Sequence, residues 1–295
     1  VAGVALSWRV DVNDFSLHHF YKNRLVRCYL GASRSRERDA DWFTGFDPDD
    51  DVRLRAFDHE NPEKSKYPGP YPIINTALNL VGGKDLAWQE RKAASFVFTP
   101  KYCGYDVDRA VLTKSTDGVY DDAYVPTERF YQPGSGPMLG MAMAISGAAA
   151  NPNMGRASTP ALAFLMTVFN VRLGWWVGNP RSAPSPKATS PWLGLPYTAL
   201  ELFGAADDEK NYVNLSDGGH FENLGVYELL RRGCRYIIAC DSGQDGKFLG
   251  EDLGTLIRQA RTDFGIEIEI DIDRIRDRSP EGLSRTHCVV GKIHY

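Results

Sequence analysis

One aspartate in this chain of 295 residues, Asp217, sits on a glycine turn, Asp217-Gly218-Gly219, where its neighbours favour chemistry. Tyr212, Val213 and Leu215 read as the end of a short strand, and Val226, Leu229 and Leu230 recur at helical spacing. The carboxylate therefore falls at a strand-to-helix junction. Paired glycines permit positive φ and close approach of another backbone or a ligand, and such edges are where α/β proteins place catalytic groups. A carboxylate there can take the proton of a hydroxyl nucleophile, a general-base role worth ~10²–10⁴ in rate. A free Asp titrates near ~3.9, so it is available as a base at neutral pH. The tripeptide alone fits a plain Asx turn better, with the carboxylate serving only its own backbone amides.

The surrounding run, SDGGHFENLGVYELLRRGCRYIIACDSGQD from Ser216 to Asp245, extends the pattern. It resembles the segment of patatin-like phospholipases, and of the related cytosolic group IV phospholipases, that carries the Asp of their Ser-Asp dyad. In that family the Asp precedes a small pair, an Asn, a helix and a hydrophobic strand. The matching positions are Asp217, Gly218 and Gly219, Asn223, a helix from about Leu224 to Arg232, and a strand Tyr236–Cys240. The segment FVFTPKYCGY after Ser95, paired with NTALN from Asn75, is similar to a Phe-x-Phe-Thr-Pro segment of the group IV enzymes, which widens the resemblance to about Tyr71 onward.

The resemblance implies a lipid acyl hydrolase with Asp217 as base and a nucleophile in Gly-x-Ser-x-Gly, preceded by a glycine-rich oxyanion loop. No Gly-x-Ser-x-Gly occurs in the chain. The expectation is a single patatin-like catalytic domain fragment over 1–295, cut at both ends, with the elbow encoded before Val1. On that account the chain keeps the base and lacks the nucleophile, and is inactive as it stands. Ser146, followed by Gly147 and flanked by small residues, is the substitute nucleophile within the chain, although its matching family position is structural. A Ser-His-Asp arrangement with His220 competes, but residues three apart on one turn rarely converge on one nucleophile. The alternative from another class is a non-catalytic module that binds a lipid or protein partner.

Several elements must position Asp217. Leu17, Tyr21, Leu25 and Cys28 share a helical face behind a cap at Asn13 or Asp14. Tyr71–Leu80 and Ser95–Thr99 read as strands, and Met138, Met141, Ile145 and Ala148 as an Ala- and Gly-rich helix able to pack close to a sheet. Leu253, Leu256, Ile257, Ala260 and Phe264 mark another helix. Ile266, Ile268 and Ile270 alternate with acids as a half-exposed strand, and the last residues from Cys288 look like an unfinished one. Strand, helix, strand predicts an α/β layered fold with a central, mostly parallel sheet flanked by helices. The stretches 31–70 and 179–210 read as long surface loops or a lid. The acidic run Asp47–Asp51 lacks EF-hand spacing and reads as solvated.

A net charge of -4 gives no general attraction to nucleic acid. Five scattered cysteines without CxxC spacing suit reduced thiols. The most apolar run, Ala161–Val177, is broken by Asn170 and Arg172 and reads as a buried or interfacial helix. Paired Trp175 and Trp176 read as buried more readily than lipid-facing, and adjacent His18 and His19 point ~100° apart on a helix, which does not suit a metal pair. No cofactor or metal is expected. The expected partner is a lipid or acyl-ester substrate, with contact at a membrane surface and a cytoplasmic or cytoplasmic-membrane location.

Overall fold

The computed structural model describes residues 11–14, 16–34, 38–58, 67–82, 91–106, 123–131, 136–154, 159–169, 171–181, 190–279 and 282–295. The apolar start Val1–Trp8, the turn residues Gly134 and Ser135 and the Pro-containing stretch 182–189 lie outside them. The chain forms two compact units, Val1–Phe221 and Glu222–Tyr295.

The first unit opens with helix α1 (His18–Leu25), which runs on into a wider π turn at Val26–Gly31. Its inward residues are His18 and Val26, whereas Leu17 is exposed, so the core-facing stripe is not the one expected from Leu17 and Cys28. The helix has no side-chain cap. Asn13 instead pairs its amide with the backbone of Trp176, accepting from its N at 2.8 Å and donating to its O at 2.9 Å, as a neighbouring strand would.

Strands β1 (Ile74–Asn79), β2 (Ala93–Phe98), β3 (Tyr102–Gly104) and β4 (Tyr124–Pro126) follow. Helix α2 (Leu139–Ser146), helix α3 (Pro160–Val168), strand β5 (Trp175–Gly178), helix α4 (Gly194–Leu202) and strand β6 (Tyr212–Asp217) complete the unit. Among the described residues the sheet order is β4-β3-β2-β1-β6-β5, and every neighbour is antiparallel. This corrects the mostly parallel sheet and the layered α/β class expected from the sequence. Alternation at period two marks a strand but is the same whichever way its neighbour runs. The parallel expectation leaned on Tyr236–Cys240 as a partner strand. That segment joins no strand among the described residues and leaves Ile238 91% exposed, while β6 already has β1 on one edge and β5 on the other.

One sheet face is apolar. Leu78, Phe96, Phe98, Trp175, Val177, Val213 and Leu215 pack with Met141, Ala142 and Ile145 of α2 into the main core. Phe96, fully buried, touches the rings of Phe98, Tyr105 and Phe130. Phe96→Ala is expected to destabilise the protein by ~3–5 kcal/mol through lost burial and the cavity left behind, read from chemical denaturation. A loss under ~1 kcal/mol would mean the cluster collapses around the gap.

The loops are more ordered by charge than their composition suggests. Asp50 is fully buried and pairs with Arg34 at 3.0 Å and Arg38 at 2.7 Å, while Asp47 caps its own turn through Asp49 N. The acidic run is therefore not a solvated loop at these two positions: its carboxylates are drawn inward by two arginines. The stretch read as a lid contains α4, whose Glu201 is buried. The apolar run after Ala161 divides into α3, capped by Thr159 with Pro160 in the first turn, and the buried strand β5.

In the second unit, Glu222 accepts from Val226 N at 2.9 Å and Tyr227 N at 3.1 Å and so delays helix α5 to Tyr227–Arg231. Helix α6 (Glu251–Phe264) is bounded by Gly250 and Gly265, both at positive φ. Strand β7 (Glu267–Glu269) leads to helix α7 (Asp273–Arg276) and then β8 (Lys292–His294), which pairs antiparallel with β7. The half-exposed isoleucine strand and the terminal one are thus each other's partners.

Candidate active site

Asp217 is the last residue of β6, opposite Thr76 of β1. Gly218–His220 then turn in a short 3₁₀ segment, and Asp217 Oδ1 accepts from Gly219 N at 2.7 Å. The carboxylate caps its own turn, as a plain Asx turn does. Oδ2 has no hydrogen-bond partner among the described residues, and the residue is half-buried. Gly218 is required by close approach: a Cβ there would lie 2.8 Å from the Asn75 carbonyl oxygen.

Three elements bring other groups to this turn. Ser146 ends α2 and donates from Oγ to Asn75 O at 2.7 Å. Asp217 N donates to Ala148 O at 3.4 Å, which ties the chain just past α2 to the end of β6. Tyr21 of α1 reaches the same place: a Cβ on Gly147 would sit 2.5 Å from its Oη. Burial, and then the nearby Asp217 carboxylate, push the Tyr21 phenol above its usual range.

The sequence-predicted pair Asp217 and Ser146 is thus brought to one neighbourhood, and no hydrogen bond joins the two among the described residues. Ser146 gives its proton to a backbone carbonyl, so in this geometry it is not activated by the carboxylate. His220 meets Ser216 Oγ through Nδ1 at 2.8 Å. Burial lowers its pKa, against an opposing pull from Asp217. Ser216 is itself completely buried and inaccessible to a substrate.

Tyr21 and Ser216 were not singled out from the sequence. Tyr21 looks like one more helix residue, and its partnership spans nearly two hundred positions. Ser216 had a signal in the alternation Asn214-Leu215-Ser216, polar residues on one face of a strand whose other face is apolar.

Elsewhere on this unit a cleft of about 740 Å³ is lined by Arg53, Arg55, Asp58, Lys101, Tyr102 and Glu128, and it contains none of the predicted site residues. No group of three or more His, Cys, Asp or Glu side chains among the described residues could hold a metal ion. His18 is buried with Nδ1 on Leu173 O at 2.7 Å, and His19 pairs with Asp14. No helix among the described residues is long and apolar enough to cross a membrane. No family model, curated protein or solved structure matches the chain.

Proposed function

We propose that Asp217 is the general base of a serine-type hydrolase acting on lipid or other acyl esters, with a nucleophile supplied from outside these 295 residues. The observation that carries this reading is the position of Asp217 within the run Ser216–Asp245, which resembles the base-bearing segment of patatin-like phospholipases. One carboxylate oxygen is used by the turn, and the other is left to accept a proton. Ser146 and Tyr21 lie beside it, on elements that would border a bound ester.

An acyl substrate fits the surface of the same unit. Helix α3 has no charged residue and exposes Phe164 and Leu165, and α4 packs beside it with Trp192 and Phe203, 76% and 79% exposed, at its two ends. Exposed apolar and aromatic side chains in such numbers suit contact with a lipid surface. The five free cysteines suit a reducing compartment, and we place the protein in the cytoplasm or at the cytoplasmic face of a membrane.

The second reading is a module that binds a lipid or protein without turnover. It is favoured by the capping role of Asp217 Oδ1 and by the engagement of Ser146 with a carbonyl. Hydrolysis of a short p-nitrophenyl ester separates the two. The 295-residue chain is expected to show no turnover above buffer, and a longer translation product carrying an elbow serine is expected to be active. Turnover by the short chain that disappears in Ser146→Ala would make Ser146 the nucleophile, and an inactive longer product would favour the binding module.

A further inference from the structure

The sheet face opposite the apolar core carries polar side chains in an enclosed layer. Asn79, Asn214 and Ser216 are fully buried there, and the buried Glu201 of α4 lies against them. The carboxylate sets the direction of every bond that follows, because it can only accept. Asn214 Nδ2 donates to Glu201 Oε1 at 3.3 Å, so Asn214 turns Oδ1 away from it. Into that oxygen point the Nδ2 groups of Asn79, at 2.8 Å, and Asn151, at 3.1 Å. Flipping the Asn79 amide would set two carbonyl oxygens against each other, so Nδ2 stays inward.

The same Nδ2 reaches Ser216 Oγ at 3.0 Å. That hydroxyl therefore already accepts one hydrogen and has one to give. Its other partner among the described residues is His220 Nδ1, at 2.8 Å. If Nδ1 carried a proton, two donors would face Ser216 and its own hydrogen would have no acceptor in a buried place, an arrangement folded proteins avoid. The proton must lie on Nε2. The Ala149 backbone carbonyl acts on the imidazole as well, and its neighbour Ala148 accepts from Asp217 N.

We infer that the chain Glu201–Asn214–Asn79–Ser216 holds His220 as its neutral Nε2–H tautomer, making His220 the positioning residue that clamps the Asp217 turn to the Ala148–Ala149 segment. The positioning role rests on the reading of Asp217 as a base; the tautomer does not. Because the direction begins at a carboxylate, a change at Asn79, which does not touch the imidazole, alters the proton on it.

Nitrogen-15 NMR of the histidine-labelled protein reads the tautomer directly and needs no turnover, so its failure is distinct from a failure of the catalytic reading. His220 is expected to be neutral and Nε2-protonated at pH 7. In Asn79→Asp the new carboxylate can accept the Ser216 hydrogen, Ser216 can then accept from Nδ1–H, and a mixture with the Nδ1–H form is expected. Ser216→Ala, a swap of similar size, should lose the tautomer preference and speed amide exchange at Asp217 more than at Val213. A wild-type His220 that is Nδ1-protonated, mixed or charged at pH 7 overturns the inference whether or not the variants fold. So does an unchanged pure Nε2–H signal in Asn79→Asp or, should that variant not fold, in Ser216→Ala.

Discussion

Asp217→Asn, in a form of the protein that hydrolyses a lipid ester, is expected to lower kcat by ~10²–10⁴, the usual contribution of a positioned general base. The swap keeps an oxygen to accept from Gly219 N, and Asn caps turns about as well as Asp, so the melting temperature should stay near that of the wild type. What it removes is the ability to take a proton. Asp241 provides a matched control: its Oδ1 accepts from Gly243 N at 2.8 Å, the same two-residue cap on another Asp-x-Gly. Asp241→Asn should therefore cost little activity. A kcat near wild type for Asp217→Asn, or an equal loss for Asp241→Asn, would sink the assignment and leave Asp217 as a turn residue.

The contrast between these two aspartates also marks what could be read from the sequence. Local signals were legible because they involve residues close along the chain. The junction at Asp217, the helix at Met141 and Ile145, the strand around Phe96 and Phe98, and the isoleucine alternation from Ile266 all appear where their periodicity puts them. Strand direction was not legible, since β1 and β6 would show the same alternation if they ran in parallel. Nor was the buried polar face. Asn79, Asn214 and Ser216 have the composition of loop residues, and only the antiparallel register of β1 on β6 sets them side by side. The same holds for Asp47 and Asp50, which read as solvated until the fold brings Arg34 and Arg38 to them.

Arg172→Met is expected to destabilise the protein by ~3–5 kcal/mol, the cost of leaving one partner of a buried ion pair alone. Arg172 and Glu201 are both almost wholly buried and meet at 2.7 Å. Glu201 keeps donors from Trp176 Nε1 at 2.8 Å and from Asn214, but neither neutralises its charge. Arg172 also donates to Val12 O, so its loss frees the segment that holds Asn13 against β5. Adding Glu201→Leu removes the stranded charge and should recover part of the stability, although it orphans the Trp176 and Asn214 donors. Arg172→Lys keeps the charge without the planar fork that serves both acceptors, and should fall between wild type and Arg172→Met. Urea denaturation of the four proteins reads the series. A single Arg172→Met variant within ~1 kcal/mol of wild type, or a double variant worse than the single, would mean that Glu201 is not a charge isolated by the fold.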